Sequence, residues 1–99
     1  MNLSIEVYEK LLEVPEGRIT TYKELANAVG LKNGSRVIGN IMKKNPFPIL
    51  IPCHRVIKSN GEIGGYTNGK KTKFSILSKE GIKIKNGSVL NFEKRKYCF

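Results

Sequence analysis

"TYKELANAVGLKNGSRVIGNIMKKN", residues 21–45, decides how the rest of the chain is read. Thr21 followed three residues later by Glu24 is a capping-box pattern, in which the threonine hydroxyl accepts from the Glu24 backbone N–H and starts a helix. Leu25, Ala28 and Val29 continue at helical spacing, and Gly30 is placed to end the helix. After the short loop "LKNG", Val37, Ile38, Ile41 and Met42 repeat the same period, so a second helix runs through "SRVIGNIMKKN". Gly39 inside it costs roughly 1 kcal/mol relative to alanine, which close packing or the close approach of a partner would offset. Two short helices across a glycine-containing loop, the second one basic, make a helix-turn-helix pattern. Pattern alone favours an ordinary αα corner inside a core.

Charge turns that reading toward DNA. Lys plus Arg number 18 against 8 acids, a formal +10 with a pI near 9.8, which favours a polyanion partner or else a solvated lysine coat. The 99 residues suffice for one domain, residues 1–99, with one modest core, and a monomer is expected. No apolar run approaches a bilayer span, and "MNLSIEVYEKLLEV" reads as an acid-bearing amphipathic helix, unlike a signal or basic transit sequence. No membrane partner is expected. Cys53 and Cys98 make no disulfide framework, so a reducing, cytoplasmic setting is the expectation, nucleoid-associated in a prokaryote.

Outward from the helix pair, Ser4 is placed to cap a first helix reaching Val14, with Ile5, Tyr8, Leu11 and Leu12 on one stripe. Pro15 and Gly17 break it. "NPFPILIP" holds three prolines in seven residues, so it is neither helix interior nor central strand. It reads as a rigid connector with Ile49, Leu50 and Ile51 buried. "HRVIKSNGEIGGY" looks like a β-hairpin around "SNG". "KKTKFSILSKEG" is a last helix carrying Phe74, Ile76 and Leu77, closed by Gly81. "IKIKNGSVLNF" reads as a second hairpin around "NG", and residues 91–99 as a flexible tail. The expected fold is mainly α with short β-hairpins, a winged helix-turn-helix-like DNA-binding domain.

Chemistry concentrates at Cys53–His54–Arg55. A zinc site needs four ligands, and two Cys with one His at no close spacing do not supply it, so neither metal nor cofactor is expected. An inert buried cysteine is one reading. A nucleophile is the other: it needs a base or local positive charge, and the chain's single histidine is its neighbour. On an extended segment adjacent side chains point apart, so a bridging water would make the link.

"IPCHRVI", then "GGY", then "KFSILSKEG", preceded by "GRITTYKELA", "SRVIGNIMKKNP" and "PILIPCHRVI" in order, resembles the active-site domain of O6-alkylguanine-DNA alkyltransferases, from about Ile5 to Gly81. The resemblance implies direct-reversal DNA repair, a single-turnover transfer of an alkyl group from guanine O6, and possible action on O4-alkylthymine, with no cofactor. Cys53 would be the acceptor thiolate, His54 its base through a water, and Glu80 the group orienting the histidine. Tyr22 would hydrogen-bond the flipped base at N3. Asn45 would brace the helix-turn-helix against the active-site segment. Tyr66, Thr67, Pro48 and Val56, the last through its carbonyl, would line the pocket and read guanine. Arg36 would replace the extruded nucleotide in the stack. Ser35 and Gly39 would let the helix backbone approach the minor groove of double-stranded DNA. Lys43, Lys44, Lys70, Lys71 and Lys73 would meet phosphates, although each taken singly also reads as a solvated charge.

The family's N-terminal domain is expected to be absent, since the chain begins where the active-site domain begins. Thr67 stands where serine is common and Asn68 where glycine is common, so tolerance for bulky alkyl groups is expected to differ. Three alternatives stay open. An alkyltransferase-like lesion-binding protein usually replaces the cysteine, often by tryptophan; this chain keeps Cys53 and has no Trp. A winged-helix regulator explains the helix pair but not Cys53, Tyr66 and Glu80. A cysteine hydrolase would need an oxyanion hole and would turn over.

Overall fold

The computed structural model describes residues 3–47, 50–64 and 70–99. Its elements in chain order are α1 (Leu3–Leu12), β1 (Thr20–Thr21), α2 (Tyr22–Ala28), α3 (Ser35–Lys43), a 3₁₀ turn (Cys53–Arg55), β2 (Val56–Ile57), α4 (Lys70–Lys79), β3 (Ile84–Lys85), β4 (Ser88–Val89) and α5 (Phe92–Arg95). The architecture is mainly helical with short strands, as the sequence pattern leads one to expect.

The helix pair forms as its local chemistry dictates. Thr21 Oγ1 accepts from the Glu24 N–H at 3.0 Å and caps α2. Gly30 N–H donates to Asn27 O at 3.0 Å and Leu31 N–H to Ala26 O at 2.9 Å, the two bonds of a Schellman closure. Gly34 is the N-cap of α3, where a Cβ would lie 2.7 Å from the Leu31 Cβ and 3.2 Å from that of Ala26. No side chain fits at that point of the turn, so the two helices pack tightly across it.

Two buried clusters organise the rest. The first joins α1, α2 and α3 through Val7, Leu11, Leu25, Ile38, Ile41 and Met42, and it includes Cys53 and Val56. The second gathers Ile19, Ile57, Ile63, Leu77, Ile82 and Val89. Val56 and Ile57 alternate sides on β2, as strand geometry requires, and so tie one cluster to the other. The buried stripe of α1 runs through Leu3, Val7 and Leu11, one turn apart, which leaves Ile5 and Leu12 more than half exposed instead of buried. The helix begins at Leu3, so Ser4 lies within its first turn.

The strand pairing departs from the expected first hairpin. Val56–Ile57 pairs in parallel with Thr20–Thr21, in register Thr20↔Val56 and Thr21↔Ile57. The "SNG" turn exists, with Lys58 N–H donating to Glu62 O at 2.9 Å. Its returning arm leaves β2 and lies against β4, through the Glu62↔Ser88 bridge and an Ile63 N–H to Gly87 O bond of 2.9 Å. Val56 and Ile57 are both fully buried, which suits an interior parallel pair rather than an exposed hairpin arm. The second hairpin forms as read, with Ile84↔Val89 and Lys85↔Ser88 antiparallel. Asn86 and Gly87, at φ 53° and 79°, make the turn between them.

Two further expectations change. Leu50 is 77% exposed, Ile51 is half-buried, and Ile49 lies outside the described residues. Ile51 N–H closes a tight loop on Phe47 O at 2.9 Å, and that loop turns Leu50 outward. Residues 91–99 are docked rather than loose. Ile19 N–H donates to Arg95 O at 2.9 Å and Tyr97 N–H to Ile19 O at 2.7 Å, while Tyr97 packs on the first cluster.

Candidate functional site

Cys53 opens the 3₁₀ turn that follows Pro52, its N–H donating to Ile51 O at 2.7 Å. The segment is therefore a turn and not extended chain, and successive side chains on it diverge by about 120°. Cys53 is buried, whereas Cys98 is exposed.

His54 is fully buried and its Nε2 lies 3.0 Å from Glu80 Oε2. Arg55 grips the same carboxylate, Nε to Oε1 at 2.9 Å and Nη2 to Oε2 at 2.6 Å, and donates from Nη1 to Val14 O at 2.8 Å. Glu80 stands just past α4, held there by a second Schellman closure: Gly81 N–H to Ser78 O at 3.1 Å and Ile82 N–H to Leu77 O at 3.0 Å. Gly81 adopts φ +89°, which a side chain would strain.

The electrostatics follow from this geometry. Burial pushes the Glu80 carboxyl up, but its bonds from Arg55 and His54 outweigh that and hold it below the usual carboxylate value. Burial also lowers His54, and Glu80 opposes this without cancelling it. A carboxylate accepts and cannot donate, so the proton of a neutral His54 sits on Nε2 and the basic lone pair is on Nδ1. The result is a neutral, oriented imidazole next to a cysteine, which is what a thiol needs from a base.

Tyr22, at the first position of α2, is half-buried on the cluster that holds Cys53. Burial raises its pKa, and negative charge on Cys53 adds to the rise. Asn45 is buried; its Nδ2 donates to Ile51 O at 2.8 Å and its Oδ1 accepts from Phe47 N–H at 2.9 Å. It ties the end of α3 to the segment leading into Cys53. Cys53, His54, Glu80, Tyr22 and Asn45 thus belong to one connected region. Tyr66, Thr67 and Pro48 lie outside the described residues.

Lys73 requires a correction. Its Nζ donates to the Val56 carbonyl at 2.6 Å, which leaves that carbonyl a second lone pair. Lys73, expected at a phosphate, is fully buried, with its ammonium 6.0 Å from the Tyr22 ring centroid. The sequence carried a signal for this: Lys73, Leu77 and Glu80 stand at i, i+4 and i+7, one stripe of a helix whose Leu77 is core. Arg55, in sequence a positive charge beside the Cys–His pair, is in the fold the clamp on Glu80. Its signal was its place next to the histidine it shares a carboxylate with.

On α3 the inner face is Ile38, Ile41 and Met42. Ser35, Arg36, Lys43 and Lys44 are exposed, as is Val37, which the helical spacing had counted inward. A Cβ on Gly39 would meet nothing within 4 Å, so close packing among the described residues does not explain it. A groove lined by Lys23, Asn27, Lys32 and Ser35 flanks the start of this helix. Among the described residues no three His, Cys, Asp or Glu side chains gather as a metal-holding group.

A helix pair with a basic outer face is thus joined to a cysteine–histidine–glutamate site within one small domain. The chain belongs to the family of the 6-O-methylguanine DNA methyltransferase DNA-binding domain, whose sequence pattern matches residues 2–82. It is 40% identical over 85 residues to the methylated-DNA–protein-cysteine methyltransferase of Candida glabrata, covering 86% of this chain and 41% of that protein. It is 42% identical over 80 residues to that of Saccharolobus solfataricus, covering 81% of this chain and 51% of that protein. The chain thus spans about half the length of the curated relatives it matches. Among solved structures it resembles Mycobacterium tuberculosis OGT in complex with DNA, with TM-score 0.79 and 33% identity over 82% of this chain and 49% of that one. It also resembles S. pombe Atl1 in complex with damaged DNA containing O6-carboxymethylguanine, with TM-score 0.84 and 30% identity over 98% of both chains.

Proposed function

We propose that this chain repairs DNA by direct reversal, moving an alkyl group from guanine O6 to Cys53 in one irreversible step. The observation that carries this reading is a cysteine adjacent to a buried, neutral histidine that a clamped glutamate orients. The thiol proton passes through a water to His54 Nδ1. The sulfur then attacks the alkyl carbon, forming the S–C bond as the C–O6 bond breaks. The electron pair of that bond stays with guanine, and Tyr22 eases its departure by donating toward N3. The product is a thioether with no leaving group, so each molecule acts once.

Reaching O6 requires the nucleotide to leave the stack, at a cost of a few kcal/mol. Arg36 fills the gap from the start of α3, which lies in the minor groove of double-stranded DNA. Ser35 and the open side of Gly39 allow the approach, and Lys43 and Lys44 meet phosphates. The protein works as a cytoplasmic monomer and needs no cofactor.

The likeness to S. pombe Atl1 over nearly the whole of both chains favours a second reading, lesion binding without transfer. The retained Cys53 supports transfer. Peptide mass spectrometry after incubation with an O6-methylguanine duplex separates the two: a methyl gain on the Cys53 peptide is expected. Tight lesion binding with Cys53 unmodified would leave binding alone. Cys53→Ser should abolish the gain and spare DNA affinity.

A further inference from the structure

The strand that delivers Tyr22 to the site, Thr20–Thr21, is only two residues long and too short to hold its place unaided. One of its edges pairs with β2, which leaves the turn bearing Cys53. The other edge is taken by the chain's own C-terminal segment, residues 95–97. Lys96 bridges Ile19 in parallel, with Ile19 N–H donating to Arg95 O at 2.9 Å and Tyr97 N–H to Ile19 O at 2.7 Å. Two arginines fasten the same contact: Arg18 Nη1 donates to Lys94 O at 2.8 Å and Arg95 Nη1 to Gly17 O at 3.3 Å.

The segment also reaches past the strand. Lys96 Nζ lies 3.8 Å from Glu24 Oε1 in the first turn of α2, and Tyr97 packs on the buried cluster that Tyr22 also packs against and that holds Cys53. It therefore grips the chain on both sides of Tyr22, by backbone at Ile19 and by side chain at Glu24. These contacts come from beyond residue 82, where the family pattern ends.

We propose that residues 95–97 are a positioning element for Tyr22: as the outer strand they fix where α2 begins, and so where the phenol stands relative to the Cys53 turn. The proposal rests on the transfer reading given above, in which Tyr22 donates toward the departing guanine. Lys96 and Tyr97 act through that tyrosine. Placement matters because a hydrogen bond weakens steeply once its angle or length departs from the favoured range.

The test uses the full chain. Tyr97→Pro removes the N–H that donates to Ile19 O, and Lys96 before it already has the extended φ −71° and ψ 128° that a following proline requires. Tyr97→Ala keeps the N–H and controls for loss of the ring. Without DNA, the NMR resonances of the Tyr22 ring should differ between the two variants, and identical resonances overturn the proposal. With an O6-methylguanine duplex, Tyr97→Pro should transfer about tenfold more slowly than Tyr97→Ala. Iodoacetamide should label the Cys53 peptide at one rate in both, because that reaction releases no guanine. In a Tyr22→Phe background, proline and alanine at position 97 should transfer equally fast. A persisting difference there, or a matching change in iodoacetamide labelling, makes the segment a general support and overturns the proposal. Should Tyr97→Pro fail to fold, Lys96→Met takes its place. It should slow transfer about threefold in the presence of Tyr22 and not in Tyr22→Phe, and equal slowing in both overturns the proposal. Failure of the transfer reading appears separately, as an unmodified Cys53 in the unsubstituted chain after exposure to the duplex, while the DNA-free resonances still decide the placement of Tyr22.

Discussion

Arg55 holds Glu80 by both carboxylate oxygens, at 2.9 and 2.6 Å, while the two residues lie on different elements far apart in sequence. The bidentate, charge-assisted geometry fixes the carboxylate plane, and the plane fixes His54. Arg55→Met should leave Glu80 buried without its cation. The expected loss is toward the low end of the roughly 3–5 kcal/mol seen when a buried pair is broken. Urea denaturation of the variant measures it, and a loss within error of zero would show that solvent screens the pair.

Asn45 makes two hydrogen bonds with one side chain. Asn45→Ala removes the bond to Ile51 O and the bond from Phe47 N–H together. Leaving these groups unsatisfied should cost about 1–3 kcal/mol. Single-turnover transfer should slow beyond what the stability loss explains, because the segment before Cys53 is no longer tied to α3. Asp at this position keeps the acceptor and should restore the Phe47 bond alone, giving an intermediate rate.

Two glycines of the helix pair should respond to alanine with opposite signs. Gly34→Ala places a methyl against Leu31 and Ala26, an overpacking that should destabilise by about 1–3 kcal/mol. Gly39→Ala meets open space within α3 and should stabilise the helix by about 1 kcal/mol. If Gly39 faces the duplex, the same substitution weakens DNA binding. Thermal denaturation and fluorescence anisotropy on the two variants read both effects; a Gly39→Ala protein with undiminished affinity would remove Gly39 from the interface.

Acid should destabilise the fold in two stages. His54 is held neutral by burial, so below its ordinary value of 6.5 the unfolded chain binds a proton that the folded one resists. Stability from the neutral histidine is thus full above about 6.5 and is lost as pH falls through its lowered folded value. Glu80, held below 4.5, adds a loss at still lower pH as its own folded value is crossed. Melting temperature against pH should show both declines. His54→Gln should remove the first, and its persistence would assign that decline elsewhere.

Much of this was legible in residues with strong local chemistry. Thr21 and Glu24, Gly30, and Gly81 set helix ends by rules that act within a few residues, and the structure keeps each one. Cys53, His54 and Glu80 were legible through a family resemblance, since their meeting depends on tertiary contacts that no local period encodes. The partner of Val56–Ile57 was not legible: a two-residue strand has no period to read, and the nearby "SNG" turn supplied a misleading mate. Leu50 and Lys73 were misread by the same prior, that apolar side chains go in and lysines go out. Each is reversed by one backbone or side-chain bond, Ile51 N–H to Phe47 O and Lys73 Nζ to Val56 O.

The parallel pairing of Thr20 with Val56 also bears on the order in which the molecule assembles. α2 and α3 touch mainly through neighbours in sequence, so they can associate while the rest of the chain is still searching. The β1–β2 ladder closes a long loop, whose entropy must be overcome before any of its contacts are gained. Thr21 both caps α2 and pairs with Ile57, so one residue belongs to the early unit and to the late closure. The expected sequence is a recognition half that forms first and a reactive thiol that becomes competent only when the final crossing locks. Substitutions at Val56 should then speed unfolding more than they slow refolding, while those in the α2–α3 core should do the reverse.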